Sequence, residues 1–249
     1  MHQFGLIGYP LSHSFSKGYF SNKFEEEQIV NCRYENYPLD DIALLPELIK
    51  VNPDLKGLNV TIPYKEKVLS FLNEISPEAR EIGAVNTIRI EKNNDSAKLV
   101  GFNTDVYGFL ESLKPLLEKH HQSALILGTG GASKAVKYAL KSLGISYKFV
   151  SRNKIPEGFT YEELSEDIIS KYTLIVNTTP LGTYPKTDEY PPLPWQFIGS
   201  NHFLYDLVYN PAVTNFLKQG LEHGSKTKNG LEMLHLQAEQ AWKIWNSNE

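Results

Sequence analysis

The sequence predicts an α/β protein with two domains. Strand-like and helix-like segments alternate along the whole chain, which is the pattern of a sheet covered by helices. At Ser123 the alternation starts again with a buried strand, a glycine-rich turn and a helix, which marks a second unit. The chain has 249 residues, of which 41% are hydrophobic, so it is long enough to fill two cores.

Hydrophobic patterning divides the first unit into short strands and helices. The predicted strands cover residues 3–8, 33–37, 57–61 and 86–90. The predicted helices cover residues 15–27, 41–50 and 65–72. Because strands that alternate with helices usually pair in parallel, we expect the core of this sheet to be parallel.

A connecting helix is predicted after Asp105. Phe109, Leu110 and Leu113 fall on one of its faces, and Pro115 is expected to kink or end it near the last turn. The helix separates a first domain at residues 1–103 from a second domain at residues 104–230.

The second unit begins with a strand, a turn and a helix. Residues 124–127 are an apolar strand, residues 128–131 are rich in glycine, and residues 147–150 are the next strand. The apolar positions of the intervening helix have helical spacing: Ala132, Ala135, Val136, Ala139, Leu140 and Leu143. This order of elements begins a Rossmann-like, mononucleotide-binding fold. Further strands are predicted at residues 173–177 and 202–206.

The last segment, residues 231–249, is predicted to be a helix with a single apolar stripe. The stripe is spaced 3, 4, 3 and 4 residues apart and consists of Leu231, Leu234, Ala238, Ala241 and Trp245. Such a stripe needs a surface to pack on, so we expect this helix to return to the first domain and complete it.

Composition excludes several classes of function. With 25 Lys and Arg against 29 Asp and Glu, the net charge of -4 argues against a dedicated nucleic-acid binder. Cys32 is the single cysteine, and the histidines show no paired spacing, so we expect no internal disulfide and no metal site. The sequence contains no apolar run of bilayer length and no basic leader, and we expect a cytoplasmic protein.

The glycine-rich turn of the second unit is the candidate cofactor site. Gly128 permits a tight turn, while Gly130, Gly131 and Ala132 allow the backbone to approach a pyrophosphate at a helix N-terminus. The usual third glycine is Ser133, a small residue that still permits close packing. The alternative is a glycine-rich turn that binds no ligand.

The turn after the next strand favours NADP over NAD. NAD sites carry Asp or Glu about 20 residues after the glycines, to bind the ribose 2′-hydroxyl. Here the turn reads Ser151-Arg152-Asn153-Lys154. A guanidinium suits a 2′-phosphate, so we expect Ser151, Arg152 and Asn153 to contact NADP(H). Alternatively, Arg152 is a solvated loop charge.

Polar side chains cluster near predicted strand ends in the first unit, where ligands of α/β sheets bind. The clusters are Pro10-Leu11-Ser12-His13-Ser14-Phe15-Ser16, Asn59-Val60-Thr61-Ile62-Pro63-Tyr64-Lys65, Gly83-Ala84-Val85-Asn86-Thr87 and Gly101-Phe102-Asn103-Thr104-Asp105. Together they supply hydroxyls, amides, one ammonium and one carboxylate. This set of groups suits a small polyhydroxylated substrate.

These clusters, the Gly128 turn and the segments at residues 177–182, 205–211 and 229–234 occur in the order found in shikimate dehydrogenases, which the chain resembles over nearly its whole length. The resemblance implies reversible NADPH-dependent reduction of 3-dehydroshikimate to shikimate, in the pathway to aromatic amino acids. It also implies that the first domain binds substrate and the second binds NADP. The substrate contacts that it implies are Ser12, Ser14, Thr61, Lys65, Asn86, Asp105, Tyr209 and Gln237. Thr178 and Gly230 are expected beside the cofactor.

Lys65 and Asp105 are the candidate catalytic residues. Negative charge grows on the ketone oxygen as hydride reaches the carbon, and the Lys65 ammonium can stabilise that charge and supply a proton. Asp105 would keep Lys65 charged and oriented. Each residue also has a structural interpretation: Ser14 and Asp105 suit helix starts, Lys65 suits a solvated helix face, and Gln237 suits an exposed helix position.

Two other functions are compatible with the same motifs. One is a dehydrogenase of this fold that prefers quinate or uses NAD, and the other is a catalytically silent metabolite-binding module. The chain departs from the family pattern in Lys17 after Ser16 and in Asn229 before Gly230. For either enzyme we expect a small-molecule substrate and a monomer or homodimer.

Overall fold

The computed structural model describes residues 1–11, 15–93 and 96–247. The chain divides into two compact units, the first formed by Met1–Thr104 with Ala238–Glu249 and the second by Asp105–Gln237. Each unit is built on its own sheet. The predicted α/β class is therefore confirmed.

In the described residues the first unit has a six-stranded sheet in the order β2-β1-β3-β5-β6-β4. Its strands are β1 (His2–Gly8), β2 (Cys32–Pro38), β3 (Leu55–Val60), β4 (Glu74–Ile75), β5 (Thr87–Asn93) and β6 (Ser96–Phe102). Its helices are α1 (Phe15–Glu26), α2 (Leu45–Val51) and α3 (Pro77–Ile82), with 3-10 helices at Ile42–Leu44 and Lys67–Phe71. The elements β4, β6 and α3 were not predicted.

The expectation of a parallel core is confirmed for part of this sheet only. β5 pairs antiparallel with both β3 and β6, while β1 pairs in parallel with β2 and β3. The reason is the very short connection between β5 and β6, which permits only antiparallel pairing. The sheet is therefore mixed.

The helix predicted over residues 65–72 is also wrong, because the structure has a 3-10 helix at Lys67–Phe71. The Lys65 carbonyl accepts a hydrogen bond from the Val85 backbone N–H at 2.8 Å. An α-helix would need that carbonyl for residue 69, whose N–H bonds instead to Glu66. A tertiary hydrogen bond thus replaces the helical one.

The second unit has a parallel sheet in the order β12-β11-β10-β7-β8-β9. Its elements follow α4 (Thr104–Leu113) and are β7 (Ser123–Leu127), α5 (Gly131–Ser142), β8 (Ser146–Ser151), β9 (Phe159–Thr160), α6 (Glu166–Lys171), β10 (Leu174–Asn177), β11 (Phe203–Asp206), α7 (Asn215–Glu222), β12 (Lys226–Lys228) and the first part of α8 (Leu231–Asn246). The strand order reverses at β7, between β8 on one side and β10 on the other. Ligands of open α/β sheets bind at such a switch point.

Each face of the first sheet is covered by a separate core. Ile7, Leu58 and Ile88 pack on one face. On the other face, Trp245 at the end of α8 stacks on Phe4 with ring centroids 4.9 Å apart. The end of α8 therefore packs in the first unit, although Leu231 at its start is exposed.

Trp245 is held by more than apolar contact. Its indole N–H donates to the Ile88 carbonyl at 3.0 Å, and a methyl group at Gly57 would overlap its ring. Glycine at this strand position thus makes room for the helix that returns from the end of the chain.

The proline-rich loop before the 3-10 helix Trp195–Phe197 covers the core of the second unit. Leu193 is buried there, and Trp195 packs edge-on against Phe216 of α7. Within the described residues, no helix combines the length and the apolar character needed to span a bilayer.

Candidate active site

Three of the predicted polar clusters, at residues 59–65, 83–87 and 101–105, converge on one edge of the sheet of the first unit. In the register of β1 and β3, Ile7 lies opposite Val60, and Thr61 follows that pair, with its N–H bonded to Ile7 O at 2.9 Å. β5 begins at this edge with Thr87, which is paired with Asn59. β6 ends there, because its last residue is paired with Thr87.

Asn86, which immediately precedes β5, is held by two hydrogen bonds to Thr104. Its Oδ1 accepts from the Thr104 backbone N–H at 2.7 Å, and its Nδ2 donates to Thr104 Oγ1 at 3.0 Å. Both residues are buried. The side chain of Asn86 therefore satisfies the first N–H of α4, the helix whose second residue is Asp105.

Lys65 lies at the same edge and is half-buried. Its backbone is fixed by the bond from Val85, and the preceding Tyr64 is anchored in the core by a 2.6 Å hydrogen bond to the Leu39 carbonyl. Lys65 is therefore outside any helix, so the alternative that it lies on the solvated face of a helix does not hold. Ser12 and Ser14 lie outside the described residues.

Within the second unit, α4 and α8 approach each other closely at Gly108 of α4. A methyl group at Gly108 would overlap the Met233 carbonyl oxygen and lie 3.1 Å from the Gln237 backbone nitrogen. Asp105 is one helical turn before Gly108, on the same face of α4. Gln237 is buried, which contradicts its interpretation as an exposed helix position.

The glycine-rich turn connects β7 to α5. Gly128 has φ +97, a conformation that favours glycine, and its N–H bonds to the Val150 carbonyl at 2.9 Å. A methyl group at Gly130 or Gly131 would meet no protein atom within 4 Å, so the backbone at the start of α5 is accessible. Ser133 stabilises the turn by donating its hydroxyl to the Gly130 carbonyl at 2.7 Å.

The turn after β8 carries two cations with different surroundings. Lys154 is bound by Glu163 at 2.7 Å. Arg152 is exposed. Burial raises the pKa of Tyr161 to about 12, and the positive charge of Arg152 opposes part of this increase. Arg152 is therefore the cation of this turn that is better placed to meet a phosphate.

Thr178 closes the turn from the β10 side. Its N–H and its hydroxyl both donate to the Leu127 carbonyl, at 3.0 and 2.7 Å. This pair of hydrogen bonds to the last residue of β7 ties the loop after β10 to the start of the glycine-rich turn.

At the other end of the sheet edge, a methyl group at Gly230 would overlap the Leu207 carbonyl, so glycine is required there.

A buried carboxylate orders the loop after β11. Asp206 is fully buried and accepts hydrogen bonds from Asn177 Nδ2 at 2.9 Å, from the Val208 N–H at 3.0 Å and from Thr214 Oγ1 at 2.5 Å. Burial raises its pKa to about 6, although these donors favour the anion. Asp206 thereby sets the course of the segment that carries Tyr209, a half-buried phenol whose pKa is raised by burial.

Comparison with known proteins identifies the family. The profile of the shikimate dehydrogenase substrate binding domain matches residues 6–88. The shikimate dehydrogenase (NADP(+)) of Clostridium beijerinckii is 40% identical in an alignment of 260 residues, gaps included. The alignment covers 98% of this chain and 92% of the relative. The chain belongs to the shikimate dehydrogenase family. The resemblance predicted from the motifs is confirmed.

Solved structures of shikimate dehydrogenases have the same fold. Shikimate 5-dehydrogenase from Thermus thermophilus, in complex with NADP(H) and shikimate, is 32% identical, with a TM-score of 0.81 over 99% of this chain and 94% of that one. The quinate dehydrogenase from Corynebacterium glutamicum in complex with NAD is 26% identical, with a TM-score of 0.86 over 98% and 93%. The names of the shikimate dehydrogenase relatives agree with the predicted enzyme class and with NADP as cofactor.

Sequence reasoning missed several residues that shape this shikimate dehydrogenase site. Thr104 stands just before Asp105 at a predicted helix start, and this position is the signal for a capping partner. Asp206 stands at the end of an apolar strand, where a buried carboxylate needs several donors. Gly108 in the middle of a predicted helix was the signal for a close helix crossing.

Proposed function

We propose that this chain catalyses the reversible, NADP-dependent interconversion of shikimate and 3-dehydroshikimate. The observation that carries the proposal is the convergence of Thr61, Lys65 and Asn86 on one sheet edge in a chain of this family. The first unit binds the substrate, and the second binds the cofactor. The enzyme acts in the cytoplasm as a monomer or homodimer.

The substrate is oriented by hydrogen bonds from short polar side chains. Thr61, Ser12 and Ser14 supply hydroxyls, and Asn86, which is itself bonded to Thr104, supplies an amide. Gln237 and the phenol of Tyr209 are further contacts of the substrate ring. Burial raises the pKa of Tyr209 above the ordinary value for a phenol, and the protonated hydroxyl can donate a hydrogen bond.

The acid–base step belongs to Lys65 and Asp105. When bound, the nicotinamide supplies or accepts the hydride. During reduction the Lys65 ammonium stabilises the negative charge on the substrate oxygen and gives it a proton, and in the reverse direction the amine takes that proton. Asp105 keeps Lys65 charged and accepts a hydrogen bond from a substrate hydroxyl.

The residues of the second unit fit a dinucleotide phosphate. The accessible backbone of Gly130, Gly131 and Ala132 lies at the N-terminus of α5 and at the switch point of the sheet, where a pyrophosphate binds. Gly128 and Thr178 hold the turn, while Ser151, Arg152 and Asn153 receive the 2′-phosphate. Gly230, which lets the chain pass close to Leu207, would be a further contact of the cofactor.

Absorbance of the reduced nicotinamide tests the reaction directly. The purified chain is offered shikimate or quinate with NADP+ or NAD+, and 3-dehydroshikimate with NADPH or NADH. We expect the highest kcat/KM with shikimate and NADP+ and with the reverse pair. Preference for quinate or NAD+ would overturn the substrate or cofactor assignment, and absence of turnover with every pair would favour a binding module.

Arg152→Gln is expected to raise the KM for NADP+ about tenfold, because the 2′-phosphate loses a charge-assisted bidentate partner. Activity with NAD+, which has no such phosphate, should change little. Lys154→Gln is the matched control, since it removes a charge two residues away that is already paired with Glu163. Equal effects of Arg152→Gln on the KM values for NADP+ and NAD+ would contradict the assignment.

A further inference from the structure

A chain of hydrogen-bonded side chains crosses the first unit on the face of the sheet that α1 and α8 cover. We call it the polar chain, and its members are Ser16, Tyr34, Asn59, Thr87, Asn86 and Thr104. Ser16 lies in the first turn of α1, and Thr104 is the first residue of α4. The polar chain therefore links the start of α1 to the start of α4.

Tyr34 on β2 is the centre of the polar chain. Its ring is buried and stacks on Phe20 of α1, with centroids 4.7 Å apart. Its hydroxyl donates to Asn59 Oδ1 at 2.7 Å and is hydrogen-bonded by Ser16. Burial raises the pKa of the phenol far above neutrality, so the hydroxyl keeps its proton and its role as a donor.

Asn59 and Thr87 carry the connection across the sheet. They are directly opposite in the antiparallel pairing of β3 and β5, and Asn59 Nδ2 donates to Thr87 Oγ1 at 3.3 Å. Thr87 Oγ1 lies 3.2 Å from both Asn86 Oδ1 and Thr104 Oγ1. Asn59, Thr87 and Thr104 are all at most 5% exposed, so none of these bonds is readily replaced by water.

We propose that Tyr34 is a positioning residue that couples Ser16 at the start of α1 to Asn86 and the start of α4 through the polar chain. This inference rests on the proposed function, because it concerns how the substrate hydroxyls are held. Loss of the Tyr34 hydroxyl leaves Asn59 Oδ1 without its donor and Ser16 without its acceptor, in a buried region. The start of α1 and Asn86 then lose the polar chain that connects them, whereas the cofactor turn takes no part in these bonds.

Tyr34→Phe tests the coupling, because it removes one oxygen and keeps the ring that stacks on Phe20. We expect the KM for shikimate to rise about tenfold, while the KM for NADP+ stays within about twofold. Tyr37→Phe is the matched control: it removes a hydroxyl from the same strand, but this hydroxyl bonds to Gln3 outside the polar chain. If Tyr34→Phe and Tyr37→Phe give the same KM for shikimate, the proposal is overturned.

A second pair of variants keeps the test valid if Tyr34→Phe folds poorly. Thr87→Val removes the central hydroxyl and keeps the shape of the side chain nearly constant, so it should also raise the KM for shikimate. Thr87→Ser keeps the hydroxyl and should have the KM of the unmodified chain. A purely structural role would lower the melting temperature of Thr87→Val without this selective effect on the KM. Failure of the unmodified chain to turn over shikimate would reject the proposed function instead, so the two failures are distinguishable.

Discussion

Lys65→Met is expected to lower kcat for shikimate oxidation by about 1000-fold, within the range that a positioned general acid–base contributes. Methionine keeps the length of the side chain but has neither the charge nor the proton. Because Lys65 acts on the reacting oxygen rather than on the nucleotide, the Kd for NADP+ should stay within about twofold. Steady-state kinetics with both substrates and a fluorescence titration of NADPH measure the two quantities.

Lys67→Met is the matched control for this substitution. Lys67 carries the same charge two residues further on, is exposed, and places its ammonium 6.0 Å from the centre of the Tyr64 ring. Its loss should leave kcat nearly unchanged. A Lys65→Met enzyme that retains more than about a tenth of the kcat would show that another group supplies the proton, and the catalytic assignment would have to be withdrawn.

The convergence of the substrate residues was predictable, but the topology that achieves it was not. Residues that follow parallel strands share an edge, and this argument covers Thr61 after β3. Asn86 precedes its strand, so in a parallel sheet it would lie at the opposite edge. Asn86 reaches the site because β5 runs antiparallel to β3. The sequence analysis did not predict β6, so it could not predict the antiparallel pairing of β5 with β6.

The polar chain illustrates a different limit of sequence reasoning. Asn59 and Thr87 alternate with the apolar residues Leu58 and Ile88, which is the pattern of a strand with one solvent-exposed face. In the structure that face is covered by α1 and by the end of α8, an element about 150 residues away in sequence from Thr87. The polar side chains are therefore buried and must satisfy one another, which local patterning cannot reveal.

The cofactor turn was the most predictable part of the site, because its chemistry is local. Gly128, Gly130 and Gly131 stand within one strand–turn–helix unit, and the positive φ of Gly128 follows from the tight turn itself. Arg152 lies at the end of the next strand, which pairs directly with β7. Asp206, by contrast, acts through Asn177 on the neighbouring strand β10 and through Thr214 at the start of α7, and local patterning does not show that these side chains meet.

Gly108→Ala is expected to destabilise the protein by about 2 kcal/mol and to raise the KM for shikimate more than that for NADP+. The added methyl group would overlap the carbonyl oxygen of Met233, a backbone atom that no rotamer change can move. The overlap forces α4 and α8 apart, and this movement separates Asp105 from Gln237. The higher helix propensity of alanine offsets only about 1 kcal/mol of this cost.

Gly18→Ala separates this steric effect from helix propensity. Gly18 is an exposed residue of α1, where a methyl group would meet no atom within 4 Å. The same substitution should therefore stabilise the protein there, by about 0.5–1 kcal/mol. Urea denaturation measures both variants. If Gly108→Ala were as stable as Gly18→Ala with an unchanged KM for shikimate, the close approach of α4 and α8 would not be what holds Asp105 and Gln237 in place.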